Sequence, residues 1–62
     1  MILDNIVKLC AEKNISIAKL EAEAGLGNAT IRRWKESSPN LSSLQAVADV
    51  LDVTVADLLK KE

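Results

Sequence analysis

Aliphatic side chains recur every three or four residues along most of this chain, and that spacing constrains its fold more than any other feature. The first series is Ile2, Leu3, Ile6, Val7, Leu9 and Cys10, and a later one is Leu44, Val47, Ala48 and Leu51. Both follow the period of an α-helix. With only two glycines and one proline, the chain has few turn residues for a β-sheet. The sequence therefore predicts an all-α fold.

No crosslink can hold this fold together. One cysteine and no histidine among 62 residues exclude an intramolecular disulfide and the usual structural zinc sites. A chain this short buries only about 60% of the surface that its unfolded form exposes. Its stability must come from aliphatic packing, and 19 of the 62 residues are Ile, Leu or Val. We expect residues 1–62 to form one compact domain with no metal and no cofactor.

Start and stop signals divide the chain into five predicted helices. Ser16 is a good N-cap for the second helix, Gly25 ends it, and Asn28 can cap the third. The predicted helices run from about Leu3 to Lys13, Ile17 to Ala24 and Asn28 to Glu36, and then, after a Ser37–Asn40 loop, through Leu44 to Leu51 and Val55 to Leu59. Asn14 and Asp52 are the predicted stops of helices 1 and 4, and Thr54 with Asp57 resembles a capping box.

Helices 2 and 3 are joined by about three residues with Gly25 at the corner, as in a helix-turn-helix. The second helix of that motif lies in the major groove of DNA. At 100° per residue, Ile31 and Trp34 define its buried direction. The outward residues are then Ala29, Arg32, Arg33 and Glu36, with Asn28 and Lys35 on the flanks.

The outward residues suit base recognition. Arginine can pair with guanine and asparagine with adenine through two hydrogen bonds each, and a methyl group can pack on thymine. Arg32 or Arg33 reads a base in one interpretation and contacts phosphate in another. A third interpretation is that both are solvated surface side chains. Trp34 is interpreted as a core residue rather than a base-stacking one, and Cys10 as an inert buried thiol rather than a redox sensor.

Charge is unevenly distributed along the chain. The net charge is −1, yet residues 28–41 carry Arg32, Arg33 and Lys35 against Glu36 alone. An acidic body with a basic spot predicts weak, salt-sensitive affinity for non-specific DNA.

The stretch ISIAKLEAEAGLGNATIRRWKE, residues 15–36, resembles the helix-turn-helix of phage repressor, Cro and XRE-type regulators. Residues 39–59 resemble the fourth and fifth helices of that family. The resemblance implies a lambda-repressor-like domain that binds double-stranded DNA, in which base contacts fall on Asn28, Ala29, Arg32 and Arg33. Contacts at the groove edge or to phosphate would fall on Ser16, Ile17, Thr30, Lys35, Ser38, Asn40 and Ser42. It further implies a repressor that binds a palindromic operator as a homodimer. Because the chain has no long coiled-coil seam, two alternatives stay open, a dimer in solution and one that forms only on DNA.

Two positions depart from the family pattern. Ile17 stands where the family often has glutamine, so only its backbone amide remains for a phosphate. Glu21 stands where the family favours a small residue between helices 2 and 3. The sequence leaves open whether Glu21 reaches Arg32, Arg33 or the Trp34 indole.

Other function classes are weighed against DNA binding. A protein-interaction module that has lost DNA binding is the alternative, favoured by the low net charge and by Glu21, Glu23 and Glu36 around the site. An enzyme is not expected, because there is no histidine, no tyrosine and no glycine-rich phosphate loop, and no small-molecule substrate is evident. The absence of a long apolar run predicts a protein without a membrane span, which we expect to be cytoplasmic.

Overall fold

The computed structural model describes residues 2–60, and within that range every regular element is an α-helix. The helices are α1 (Ile2–Lys13), α2 (Ile17–Glu23), α3 (Thr30–Arg33), α4 (Leu41–Leu51) and α5 (Val55–Leu59). The all-α, five-helix fold predicted from the periodicity is confirmed. Among these helices, none is long and apolar enough to cross a membrane.

Helix α4 lies at the centre of the bundle and packs against α1, α2 and α5. All five helices contribute fully buried side chains to one aliphatic core, which includes Ile6, Leu20, Ile31, Val47, Ala48, Leu51 and Leu58. Trp34 and Cys10 belong to the same core, as their helical phase predicted. Burial raises the pKa of the Cys10 thiol, which favours its protonated, less nucleophilic form. Val7, expected in the buried stripe of α1, is instead half exposed because Ile6 and Cys10 set the inward direction.

Three helices end in the same way, with one residue in the left-handed backbone conformation. These residues are Asn14, Gly25 and Asp52, with φ of 57°, 74° and 57°. After α2 the amide of Gly25 bonds to the Ala22 carbonyl at 3.2 Å, and the amide of Leu26 bonds to the Glu21 carbonyl at 2.8 Å. This is the Schellman pattern, which satisfies the last carbonyls and reverses the chain within two residues. The predicted stops at Asn14, Gly25 and Asp52 are confirmed.

Side-chain caps begin three of the helices. The Ser16 hydroxyl accepts from the Lys19 amide at 3.1 Å, and the Asn40 side-chain carbonyl accepts from the Ser43 amide at 2.8 Å. Thr54 and Asp57 form the predicted capping box. These caps fix where α2, α4 and α5 start, and α2 ends within one residue of its predicted boundary.

Helix α3 differs most from its prediction. The α-helix covers only Thr30–Arg33, not the stretch from Asn28 to Glu36, and beyond it the chain continues in tighter turns. There the amides of Lys35 and Glu36 bond three residues back, at 3.3 and 3.0 Å. The N-cap is Ala29, with φ of 64° and no side-chain capping bond, so the prediction that Asn28 caps this helix is wrong. The physical reason is that the amides at the start of α3 find their hydrogen-bond acceptor on α2 and not on Asn28.

Candidate nucleic-acid interface

The buried carboxylate of Glu21 connects α2 to the start of α3. Glu21 is only 6% exposed. Its Oε1 accepts a hydrogen bond from the Ala29 amide at 3.3 Å, and its Oε2 accepts one from the Ile31 amide at 2.9 Å. A carboxylate can accept several such bonds, and the first amides of a helix have no partner within the helix. Glu21 therefore performs the capping role that the sequence suggested for Asn28.

The partners of Glu21 differ from the three that the sequence left open. The carboxylate bonds to main-chain amides rather than to Arg32, Arg33 or the Trp34 indole. Sequence reasoning missed this because main-chain donors leave no trace in a residue pattern. The sequence held one sign that Glu21 is buried. It directly follows the core residue Leu20, which places it near the inward side of a short helix.

Because Glu21 caps α3, the side chain of Asn28 is not needed for capping. Asn28 is exposed just before the left-handed Ala29, and within residues 2–60 its side chain makes no hydrogen bond. Thr30 differs from it, because its hydroxyl donates to the Gly27 carbonyl at 2.7 Å. That bond holds the turn and leaves only the oxygen lone pairs of Thr30 for an outside donor.

The two arginines of α3 are both exposed. Ala29, Arg32 and Arg33 line a shallow groove with Glu36 and Ser37. Within the described chain neither guanidinium has an ion-pair or hydrogen-bond partner. Ile31 is fully buried and Trp34 nearly so, which confirms the inward direction expected for this segment. Lys35 is exposed on its flank.

Five of the residues implied as groove-edge or phosphate contacts lie at or near the starts of α2 and α4. Ser16 caps α2 through its oxygen, and the hydroxyl proton remains to be donated outward. Ile17 is partly buried against the core, so its side chain serves packing. Asn40 uses its carbonyl oxygen to cap α4, which leaves its amide NH2 as a donor. Ser38 and Ser42 are exposed on either side of Asn40.

These features define a helix-turn-helix. Two short helices are joined by a glycine turn, and the second is buried through Ile31 and Trp34 and presents unpaired arginines. Residues 5–62 match the family model of the Cro/C1-type HTH DNA-binding domain, and the chain belongs to this family. The resemblance to phage repressors and Cro is confirmed, and DNA is the partner class of the domain. No curated protein and no solved structure matches the chain.

Proposed function

We propose that this protein is a sequence-specific transcriptional regulator, a repressor, that reads the major groove with α3 and the residues on either side of it. Asn28, Ala29, Arg32 and Arg33 are the proposed base-reading residues. Arginine suits guanine, asparagine suits adenine, and the Ala29 methyl suits thymine.

One observation carries this proposal. Arg32 and Arg33 lie on the exposed side of a segment whose other side is anchored by Ile31 and Trp34, and neither guanidinium is engaged within residues 2–60. The two unpaired guanidinium groups therefore lie on adjacent residues of a segment that packs firmly into the core.

Contacts at the groove edge or to phosphate are proposed for Ser16, Ile17, Thr30, Lys35, Ser38, Asn40 and Ser42. Most of these residues retain an outward donor: a hydroxyl proton on the serines, the side-chain amide of Asn40, the ammonium group of Lys35 and the backbone amide of Ile17. Thr30 must break its bond to Gly27 before its hydroxyl can donate. Contacts to the backbone set orientation on DNA and carry no sequence information.

Pairing of two copies on a palindromic operator completes the proposal. A single module buries roughly 600–1,000 Å² on DNA, which is little for tight binding. Leu41 and Leu59 are the exposed leucines, at 71% and 56%, and each offers an apolar contact for a second copy. We expect the dimer to form on DNA, so sedimentation with and without operator duplex should show two copies only on DNA. Leu41→Ser and Leu59→Ser report which leucine is used.

Selection of bound duplexes from a random pool tests the function directly. We expect enrichment of a two-fold symmetric sequence with half-sites about one helical turn apart. Binding of the enriched duplex should weaken steeply with added salt. A chain that binds no duplex at low salt would be a protein-interaction module on the same fold. An enriched sequence without two-fold symmetry would remove the homodimer from the proposal.

A further inference from the structure

Helix α3 cannot hold its own conformation. The α-helical part is a single turn, Thr30–Arg33, whereas isolated helices shorter than about 12–15 residues are marginal in water. It is preceded by Ala29 in the left-handed region, where an L-residue with a Cβ is strained. The direction of this short segment therefore depends on contacts from outside it.

Glu21 provides those contacts at three points. Its main-chain carbonyl accepts from the Leu26 amide at 2.8 Å, while its carboxylate accepts from the amides of Ala29 and Ile31. One residue thus holds the end of α2, the left-handed turn and the first turn of α3. Since the carboxylate is buried, water competes weakly for it and these bonds are strengthened.

We infer that Glu21 is a positioning residue for DNA reading. It sets the pose of Arg32 and Arg33. It also frees Asn28 from capping, so that the side-chain amide of Asn28 can reach a base. This inference rests on the proposed function. It also assigns the first amides of α3 to Glu21, so a phosphate cannot bind there. Main-chain amide contacts to phosphate are then left to helix starts outside α3.

The sign of a mutational effect separates positioning from charge. Glu21→Gln keeps the size of the side chain, but glutamine has only one acceptor oxygen, so one of the two amides loses its partner. Removal of a negative charge by itself tightens binding to every duplex. Loss of positioning does the opposite, and only for the selected duplex. Glu23→Gln is the matched control, because Glu23 lies exposed on the same helix and the change in net charge is identical.

The test compares affinities for the duplex enriched by the natural chain and for a scrambled duplex, at one salt concentration. We expect Glu21→Gln to lower the ratio of the two affinities by about tenfold or more. Glu23→Gln should leave that ratio unchanged. Equal ratios for both variants would overturn the inference, as would tighter binding of both duplexes by Glu21→Gln.

Amide hydrogen exchange in the natural chain tests the contact without any variant and without DNA. The Ala29 and Ile31 amides should exchange about tenfold or more slowly relative to intrinsic rates than that of Asn28, which makes no hydrogen bond in the described structure. Equal protection of all three amides would overturn the inference even if Glu21→Gln does not fold. Slow exchange combined with failure to enrich any duplex would remove the proposed function and leave Glu21 a purely structural cap.

Discussion

The side-chain amide of Asn5 donates a hydrogen bond of 2.7 Å to the main-chain carbonyl of Leu58, 53 residues later in the chain. The same nitrogen donates to the carbonyl of Lys60 at 2.7 Å. These carbonyls lie at the end of α5, where a helix has no internal donors left. One side chain of α1 therefore caps the last helix and closes the bundle.

Asn5→Ala should destabilise the domain by about 1 kcal/mol, because two carbonyls lose a common donor in a partly buried position. Chemical denaturation measures this, and Asn28→Ala is the control since the Asn28 side chain has no hydrogen bond within residues 2–60. Equal stability of both variants would show that the two hydrogen bonds from Asn5 contribute nothing to stability.

Ala29→Gly should stabilise the fold by about 1 kcal/mol, since glycine adopts the left-handed conformation at position 29 without strain. The same change at Ala22, exposed within α2, should destabilise it by about 1 kcal/mol. Denaturation of both variants checks the opposite signs. If the Ala29 methyl packs on thymine, the more stable variant should bind the selected duplex more weakly.

Arg32→Ala and Arg33→Ala should each weaken binding to the selected duplex. A residue that reads a base loses about 1–3 kcal/mol and relaxes specificity at one position, whereas one that contacts phosphate loses affinity on all sequences alike. Titrations against duplexes altered one base pair at a time distinguish these outcomes. Lys13→Ala removes the same charge from the end of α1 and serves as control. If neither arginine change has an effect, the base-reading assignment of α3 is wrong.

Asp57 should make stability depend on acid pH. The Thr54 amide donates to its carboxylate at 3.1 Å, and this bond, with help from Lys60, lowers the pKa of Asp57 below its usual value near 3.8. A lowered pKa in the folded state means that the stabilisation is present above about pH 4 and is lost as the pH falls through the folded pKa. As the pH is lowered from 6 to 2, the melting temperature should fall less steeply for Asp57→Asn than for the natural chain. Parallel curves would contradict this.

Several features of this protein were predictable because they are local. The inward direction of Ile31 and Trp34 follows from residues three apart. The caps at Ser16 and Thr54 and the stop at Gly25 follow from chemistry within four residues of each helix end. Helical phase likewise placed Ala29, Arg32 and Arg33 on the outward face, and the family resemblance in residues 15–36 then implied that these residues and Asn28 contact bases.

The partner of Glu21 was decided by tertiary structure alone. Its acceptor oxygens meet the amides of Ala29 and Ile31 only because α2 and α3 cross at the Gly25 turn. The same contact displaced Asn28 from the capping position, and the left-handed Ala29 begins a helix shorter than the periodicity predicts. The sequence determined which residues point inward, with Val7 as an exception, and where most helices stop. The bond between a side chain of one helix and the backbone of the next depended on how those helices pack, since main-chain amides are the same at every position and give the sequence no signal.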